Sequence, residues 1–123
     1  MMKKISILTI TLSFVASYTS AASKDGSFAV LQLGNDSCGS FTAAAQKGTH
    51  QNNWADWNRY ASYAFGYFTG INNYFPDTTN ILGGTDYEGA MANIEKYCQE
   101  NPLKKLIDAL DKTAADLYSS RKK

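Results

Sequence analysis

The sequence has few of the residues from which recognisable catalytic and metal sites are built. It contains one histidine, two cysteines and two prolines in 123 residues. One His and two distant Cys do not make a recognisable zinc set. His50 lies in a polar stretch without a Ser or Cys nucleophile motif beside it. We therefore assign no catalytic residue, no metal ligand and no cofactor from the sequence.

The chain also lacks an apolar run long enough to cross a bilayer. The longest apolar stretch, residues 5–16, covers about 12 residues, whereas a spanning helix needs roughly 20. Lys3 and Lys4 precede this stretch, and the small residues Ser20 and Ala22 follow it. A positive start, a short apolar segment and small residues at a cleavage site are typical of a secretory signal peptide.

We expect residues 1–22 to be a signal peptide, with cleavage after Ala21 as the alternative, and residues 23–123 to be a single periplasmic or secreted domain. This mature part has no large excess of charge, because ten Lys and Arg stand against eleven Asp and Glu, a net charge of −1. Such a balance provides no basic field for nucleic acid or an anionic membrane. The basic residues 121–123 are expected to be a solvated, fraying end.

Cys38 and Cys98 are the only cysteines. After export they reach an oxidising compartment, where an even pair usually forms a disulfide. The two residues are about 60 positions apart, and a cross-link of that span stabilises a domain by roughly 4 kcal/mol in the chain-entropy model. We therefore predict a Cys38–Cys98 disulfide; two free reactive thiols are the alternative.

Apolar periodicity predicts an all-α fold, a small four-helix bundle with one disulfide. The stretch 27–33 (SFAVLQL) is too short to classify by its period, so it forms either a short strand or an arm over the core. The helices are expected at residues 38–46, 53–75, 86–100 and 102–119. Residues 35–37 (NDS) form a turn or a cap, Ser40 is a candidate cap for the first helix, and Pro76 ends the second.

The second predicted helix is the strongest pattern, and it carries a tyrosine stripe beside its apolar face. This stripe has two interpretations. It forms a binding face, since tyrosine offers a large amphipathic area at low entropic cost, or it packs under the first and fourth helices with hydroxyls at the rim. The packing interpretation is the one we favour. The residues of the possible binding face are Tyr60, Tyr63, Tyr67, Tyr74 and Asn72.

Other residues of the sequence have expected structural roles. Gly66 and Gly70 lie one helical turn apart, and each costs about 1 kcal/mol relative to Ala inside a helix. We expect them to let another backbone approach closely. Thr85 and Glu88 match a capping box for the third helix. Asn101 and Pro102 match the N-cap and first position of the fourth.

Several of these motifs, taken in order, resemble a group of small exported bacterial proteins with the pattern SCG…GYxSGxN…GTD…YCxxNPL. The matching segments here are 36–40 (DSCGS), 66–72 (GYFTGIN), 84–86 (GTD) and 97–103 (YCQENPL). The group has no established activity. In build it is similar to the acid-stress chaperone HdeA and to periplasmic immunity proteins of type VI secretion. The resemblance implies a small, helical, disulfide-closed protein.

Two functions follow as hypotheses. The first is a non-enzymatic periplasmic protein that acts by protein–protein contact, as a stress chaperone or as an inhibitor or immunity factor. Its partner would be another protein in the periplasm. The alternative is a small hydrolase of envelope polymers, which needs two carboxylates at a fixed separation. Its candidate acids are Asp77, Asp86 and Glu88.

Overall fold

The computed structural model describes residues 23–123, so the predicted signal peptide, residues 1–22, lies outside the described residues. The described chain contains no β-strand, only two isolated bridges. Short 3₁₀ helices precede and follow a bundle of four α-helices, so the predicted all-α class is confirmed. The four helices are α1 (Cys38–Gln51), α2 (Ala55–Tyr74), α3 (Tyr87–Glu100) and α4 (Leu106–Leu117); the 3₁₀ helices are Gln32–Asn35 and Tyr118–Ser120.

The segment before the bundle is an arm and not a strand. It is extended up to Leu31 and then turns into the 3₁₀ helix Gln32–Asn35. Leu33 packs against the core from this turn. Phe28 remains 64% exposed, so the arm uses only part of its apolar surface for packing.

Helix α1 begins at a serine cap, which is Ser37 of the predicted turn or cap and not Ser40. The Ser40 N–H donates to Ser37 Oγ at 3.1 Å. The helix also continues beyond residue 46, to Gln51, because its last turn is sheltered by Trp54. Gly48 is buried there, and a Cβ at this position would collide with the Trp54 ring. Asn52 ends the helix in the left-handed region, with φ of 49°.

Helix α2 ends at Tyr74, one residue earlier than predicted, and Pro76 follows its end as expected. Its buried face packs against α1 through aromatic side chains. The Phe41 ring meets the Trp57 ring edge to face, with centroids 5.8 Å apart, and the Tyr60 ring in the same way at 5.6 Å. Such pairs add about 0.5–1.5 kcal/mol beyond the burial of their area.

The cap of α3 differs from the predicted capping box of Thr85 and Glu88. The N-cap is Asp86, whose carboxylate accepts the Gly89 N–H at 2.8 Å. A carboxylate at a helix N-terminus is a stronger acceptor than a threonine hydroxyl and also complements the helix dipole. Helix α3 therefore begins one residue later, and Glu88 is exposed in its first turn.

Asn101 and Pro102 do not start α4, which corrects the prediction for that boundary. Asn101 is the C-cap of α3, and its side-chain amide donates to the Tyr97 carbonyl at 2.9 Å. Helix α4 begins at Leu106. The Asp108 carboxylate accepts the Lys105 N–H at 3.0 Å, which satisfies one N–H group at this helix end.

The Cys38–Cys98 disulfide joins the start of α1 to the last turn of α3. The two Cα atoms are 4.6 Å apart, and both side chains are fully buried. The connection between α3 and α4 docks beside it. The Cys38 N–H donates to the Lys104 carbonyl at 2.7 Å, and the Gly39 N–H to the Pro102 carbonyl at 3.0 Å. The α3–α4 loop thus satisfies the N–H groups at the start of α1.

The C-terminal tail is held against the α2–α3 loop, so the predicted fraying is wrong, although Lys122 and Lys123 are exposed to solvent. The Lys122 N–H donates to the Asn80 carbonyl at 2.9 Å, and the Thr79 N–H donates back to the Lys122 carbonyl at 2.8 Å. The Arg121 guanidinium donates to Thr78 Oγ1 at 3.0 Å. It also lies 3.8 Å from the centroid of the Tyr118 ring.

The two glycines of α2 do not admit another backbone among the described residues. A Cβ built at Gly66 or at Gly70 has no heavy atom of another part of the chain within 4 Å. The close approach predicted for these positions is therefore wrong within the chain, since the open side of α2 is not packed there.

Because a methyl group fits at Gly66 and at Gly70, we predict that alanine at either position stabilises the domain. Gly66→Ala and Gly70→Ala are each expected to raise the free energy of unfolding by roughly 0.4–1 kcal/mol, because alanine restricts the unfolded chain and suits a helix. Gly48→Ala is the contrasting control, since its methyl group displaces the Trp54 ring. Urea denaturation measures all three variants. A loss of stability in both α2 variants contradicts the geometry.

Candidate functional site

Within residues 23–123, a shallow groove lies between the first 3₁₀ helix, α1 and the N-terminal half of α2. It consists of two adjoining depressions of about 500 Å³ and 340 Å³ that share Leu33 and Arg59. We call it the α2 groove. The larger depression is lined by Gln32, Leu33, Asn58, Arg59, Ser62 and Tyr63. The smaller depression is lined by the shared residues Leu33 and Arg59 and by Asp36, Ser40, Ala43, Ala44, Lys47, Asp56 and Tyr60.

Apolar and charged groups are both present in this groove. Leu33 packs on the core, and Ala44 is buried. The charged groups meet at Asp56, whose carboxylate is 3.7 Å from Lys47 Nζ and 3.8 Å from an Arg59 guanidinium nitrogen. All three charged side chains are about half exposed or more, so these ion pairs are screened and contribute little to stability.

Tyr60 fixes one side of the groove. Its ring is buried against Phe41, and its hydroxyl donates to Asp36 Oδ2 at 2.7 Å. Burial, together with the hydrogen bond to Asp36, raises the pKa of Tyr60 from 10.0 to about 12. This bond ties the segment before α1 to α2 and sets the width of the groove.

Because the pKa values of Tyr60 and Tyr67 are raised in the fold, we predict that the domain loses stability at alkaline pH. Burial, with the hydrogen bond to Asp111, also raises the pKa of Tyr67. Each hydroxyl stays neutral in the fold at a pH where the unfolded chain ionises, so the stabilisation is complete below about pH 10 and is lost as the pH rises towards 12.

Urea denaturation at pH 8 and pH 11 measures this dependence. The free energy of unfolding should be lower at pH 11, and the decline should be smaller in Tyr60→Phe, which removes one of the two ionisable hydroxyls. Equal stability of the wild-type protein at both pH values contradicts the assignment.

The predicted tyrosine stripe does not form one face. Tyr60 and Tyr63 line the α2 groove, and the Tyr63 hydroxyl lies against Gly34. The Tyr67 hydroxyl donates to Asp111 on α4. Tyr74 is 79% exposed. These contacts follow the packing interpretation for Tyr60 and Tyr67, because both rings are covered by other elements and only their hydroxyls reach the rim.

Asn72, the remaining member of the predicted binding face, has a contact within the chain. Its Oδ1 accepts the Ile81 N–H at 2.7 Å. Ile81 is fully buried, so this hydrogen bond holds the α2–α3 loop over the core.

The acids proposed for a hydrolase are not brought together in the α2 groove. Asp77 lies in a turn with φ of 50°, Asp86 caps α3, and Glu88 is exposed. None of the three lines either depression. Within residues 23–123, no three His, Cys, Asp or Glu side chains are placed to hold a metal ion. No helix of this part of the chain is long and apolar enough to cross a membrane.

Sequence reasoning missed the charged side of the site. The predicted helix bounds left Lys47 between the first and the second helix, and Arg59 was not among the residues of the possible binding face. The three-residue spacing of Asp56 and Arg59 was the available signal, because it places the two side chains together on a helix. Lys47 gave no signal, since it reaches Asp56 only through the packing of α1 on α2.

Comparisons with known proteins give no further information about what the α2 groove binds. No family model, no curated protein and no solved structure matches this chain. The interpretation of the α2 groove therefore depends on its own residues.

Proposed function

We propose that this chain is a non-enzymatic protein that acts outside the cytoplasm by binding another protein in the α2 groove. One observation carries the proposal: the groove combines apolar contacts from the partly buried Leu33 and the exposed Ala43 with the exposed charges of Lys47, Asp56 and Arg59. Protein–protein interfaces have this organisation, with an apolar centre and a polar, solvated rim.

The openness of the groove supports a macromolecular partner over a small molecule. Small-molecule sites are concave, mostly apolar, and bury most of the ligand surface. Here Gln32, Asn58, Arg59 and Ser62 are all exposed along the larger depression. A small ligand would remain largely solvated on such a surface, whereas a partner protein covers it.

The rigidity of the walls supports a specific inhibitor or immunity factor over a stress chaperone. Helices α1 and α2 are joined by the Phe41 aromatic contacts, and α1 is tied to α3 by the disulfide. A preformed surface loses little entropy on binding one partner. A chaperone would instead have to expose buried apolar groups. The buried disulfide also supports action in an oxidising compartment.

Photo-crosslinking in the native cell tests this function. A photoreactive amino acid replaces Ser62, an exposed residue of the groove, and in a second strain it replaces Lys96, an exposed residue of α3 outside the groove. The proposal expects a discrete covalent adduct with one protein from the Ser62 position and none from the Lys96 position.

The proposal is tested by comparing the adducts that form at the Ser62 and Lys96 positions. An absence of adducts from Ser62 contradicts the proposal, and so does an identical set of adducts from both positions. The Ser62 adduct should also disappear when Ala43→Arg fills the smaller depression with a bulky charged side chain.

A further inference from the structure

We propose that Arg59 anchors the partner by taking a carboxylate side chain from an acidic segment of that protein. This inference rests on the proposed function and names the chemistry that the α2 groove recognises. Arg59 is one of only two residues that line both depressions, so a segment lying along the groove passes its guanidinium.

The donors of Arg59 are available to a ligand. The residue makes a 3.8 Å ion pair with Asp56, which is longer than a hydrogen bond, and its side chain is 69% exposed. No hydrogen bond from the Arg59 side chain is present among the described residues. The other arginine of the chain, Arg121, donates to Thr78 Oγ1 and to the Tyr118 carbonyl, so its guanidinium is already engaged.

The ligand chemistry follows from geometry and not from net charge. The charged side chains of the groove balance, since Lys47 and Arg59 stand against Asp36 and Asp56. A diffuse attraction for any anion is therefore weak. A planar guanidinium with unused donors instead matches a carboxylate or a phosphate group, either of which accepts two parallel hydrogen bonds from its fork, and the carboxylate is the one that an unmodified polypeptide carries.

The surroundings of Arg59 favour a carboxylate carried by a polypeptide. Asn58, Ser62 and Gln32 present amide and hydroxyl groups along the same depression, at positions exposed to solvent. These groups donate to and accept from peptide groups. Leu33 adds an apolar contact beside them. An acidic residue followed by peptide backbone and an apolar side chain uses all of these features.

Titration with two peptide pools, followed by amide NMR of the mature protein, tests the anchor. One pool contains blocked hexapeptides with Glu fixed at the third position, and the matched pool has Gln there. The Glu pool should shift the amide signals of Asn58, Arg59 and Ser62 at concentrations about two- to five-fold lower than the Gln pool, the effect of one solvent-exposed ion pair.

Two variants test whether Arg59 causes the preference for the Glu pool. In Arg59→Gln the preference for the Glu pool should disappear, and in Lys96→Gln, which removes an exposed cation outside the groove, it should remain. Equal responses to both pools overturn the anchor, as does a preference that survives in Arg59→Gln. Equal shifts from inorganic phosphate at the same concentration also overturn it, because they indicate a general anion effect.

Failure of the anchor and failure of the proposed function are distinguishable. A Ser62 adduct that persists unchanged in Arg59→Gln leaves the protein-binding function intact and removes the anchor. Loss of that adduct in Arg59→Gln, with retention in Lys96→Gln, supports both.

Discussion

Replacing Cys38 and Cys98 together by alanine is expected to lower the free energy of unfolding by about 4 kcal/mol. The bridge closes a loop with a sequence separation of 60 residues, and loss of that constraint increases the entropy of the unfolded chain. A domain of this size has a total stability of only about 5–15 kcal/mol. The double variant should therefore unfold at a markedly lower urea concentration.

Reduction of the wild-type protein is the matched control for this experiment. Both cysteines are fully buried, so alanine removes sulfur packing as well as the cross-link. Dithiothreitol removes only the cross-link, and its effect should account for most of the loss. An unfolding midpoint that is unchanged after complete reduction would contradict the role given to the disulfide.

Phe41→Ala is expected to cost about 3–5 kcal/mol, because it leaves a cavity where an aromatic ring is fully packed. The Phe41 side chain is 1% exposed, and its ring contacts Trp57 and Tyr60. Since these contacts join α1 to α2 beneath the groove, the variant should also weaken binding there.

Two control variants test whether the effect of Phe41→Ala comes from the loss of a buried apolar ring. Phe41→Leu keeps most of the apolar volume and should cost less than about 1.5 kcal/mol. Phe28→Ala removes the same ring from a site that is 64% exposed and should change stability by no more than about 0.5 kcal/mol. Equal effects at Phe41 and Phe28 in calorimetry would contradict the described core.

The positions of the helices and the disulfide pairing were predictable where the sequence pattern is strong. The aromatic periodicity of α2 and Pro76 located that helix within two residues at its start and one at its end. Two cysteines allow only one disulfide within the chain. Helix α3 was located within one residue at its start and ends where predicted. The end of α1 and both ends of α4 were less predictable, since such boundaries depend on which of several neighbouring polar groups caps a helix.

The errors in the caps have one physical cause. Ser37 and Ser40, or Thr85 and Asp86, are chemically similar candidates a few residues apart, and tertiary contacts choose between them. At α1 the choice follows from the α3–α4 loop, whose carbonyls accept the N–H groups of Cys38 and Gly39. No local pattern encodes a contact between segments so far apart in sequence.

The candidate site was predicted only in part for a similar reason. Tyr60 and Tyr63 were among the predicted binding residues and do line the groove. Tyr67 and Asn72 belonged to the same helical pattern but are engaged by Asp111 and Ile81. The arm residue Leu33 and the α1 residue Lys47 come from other elements, so the periodicity of α2 contained no information about them.

The central claim is that the domain is exported and closed by its disulfide, because the proposed partner lies outside the cytoplasm. Intact mass measurement of the protein isolated from its native cells, without reductant, tests this claim most directly. The account predicts a chain that begins at Ser23, or at Ala22 for the alternative cleavage, with a mass lower by the two hydrogens lost in forming one disulfide. A chain that retains residues 1–22 and carries two free thiols would contradict it.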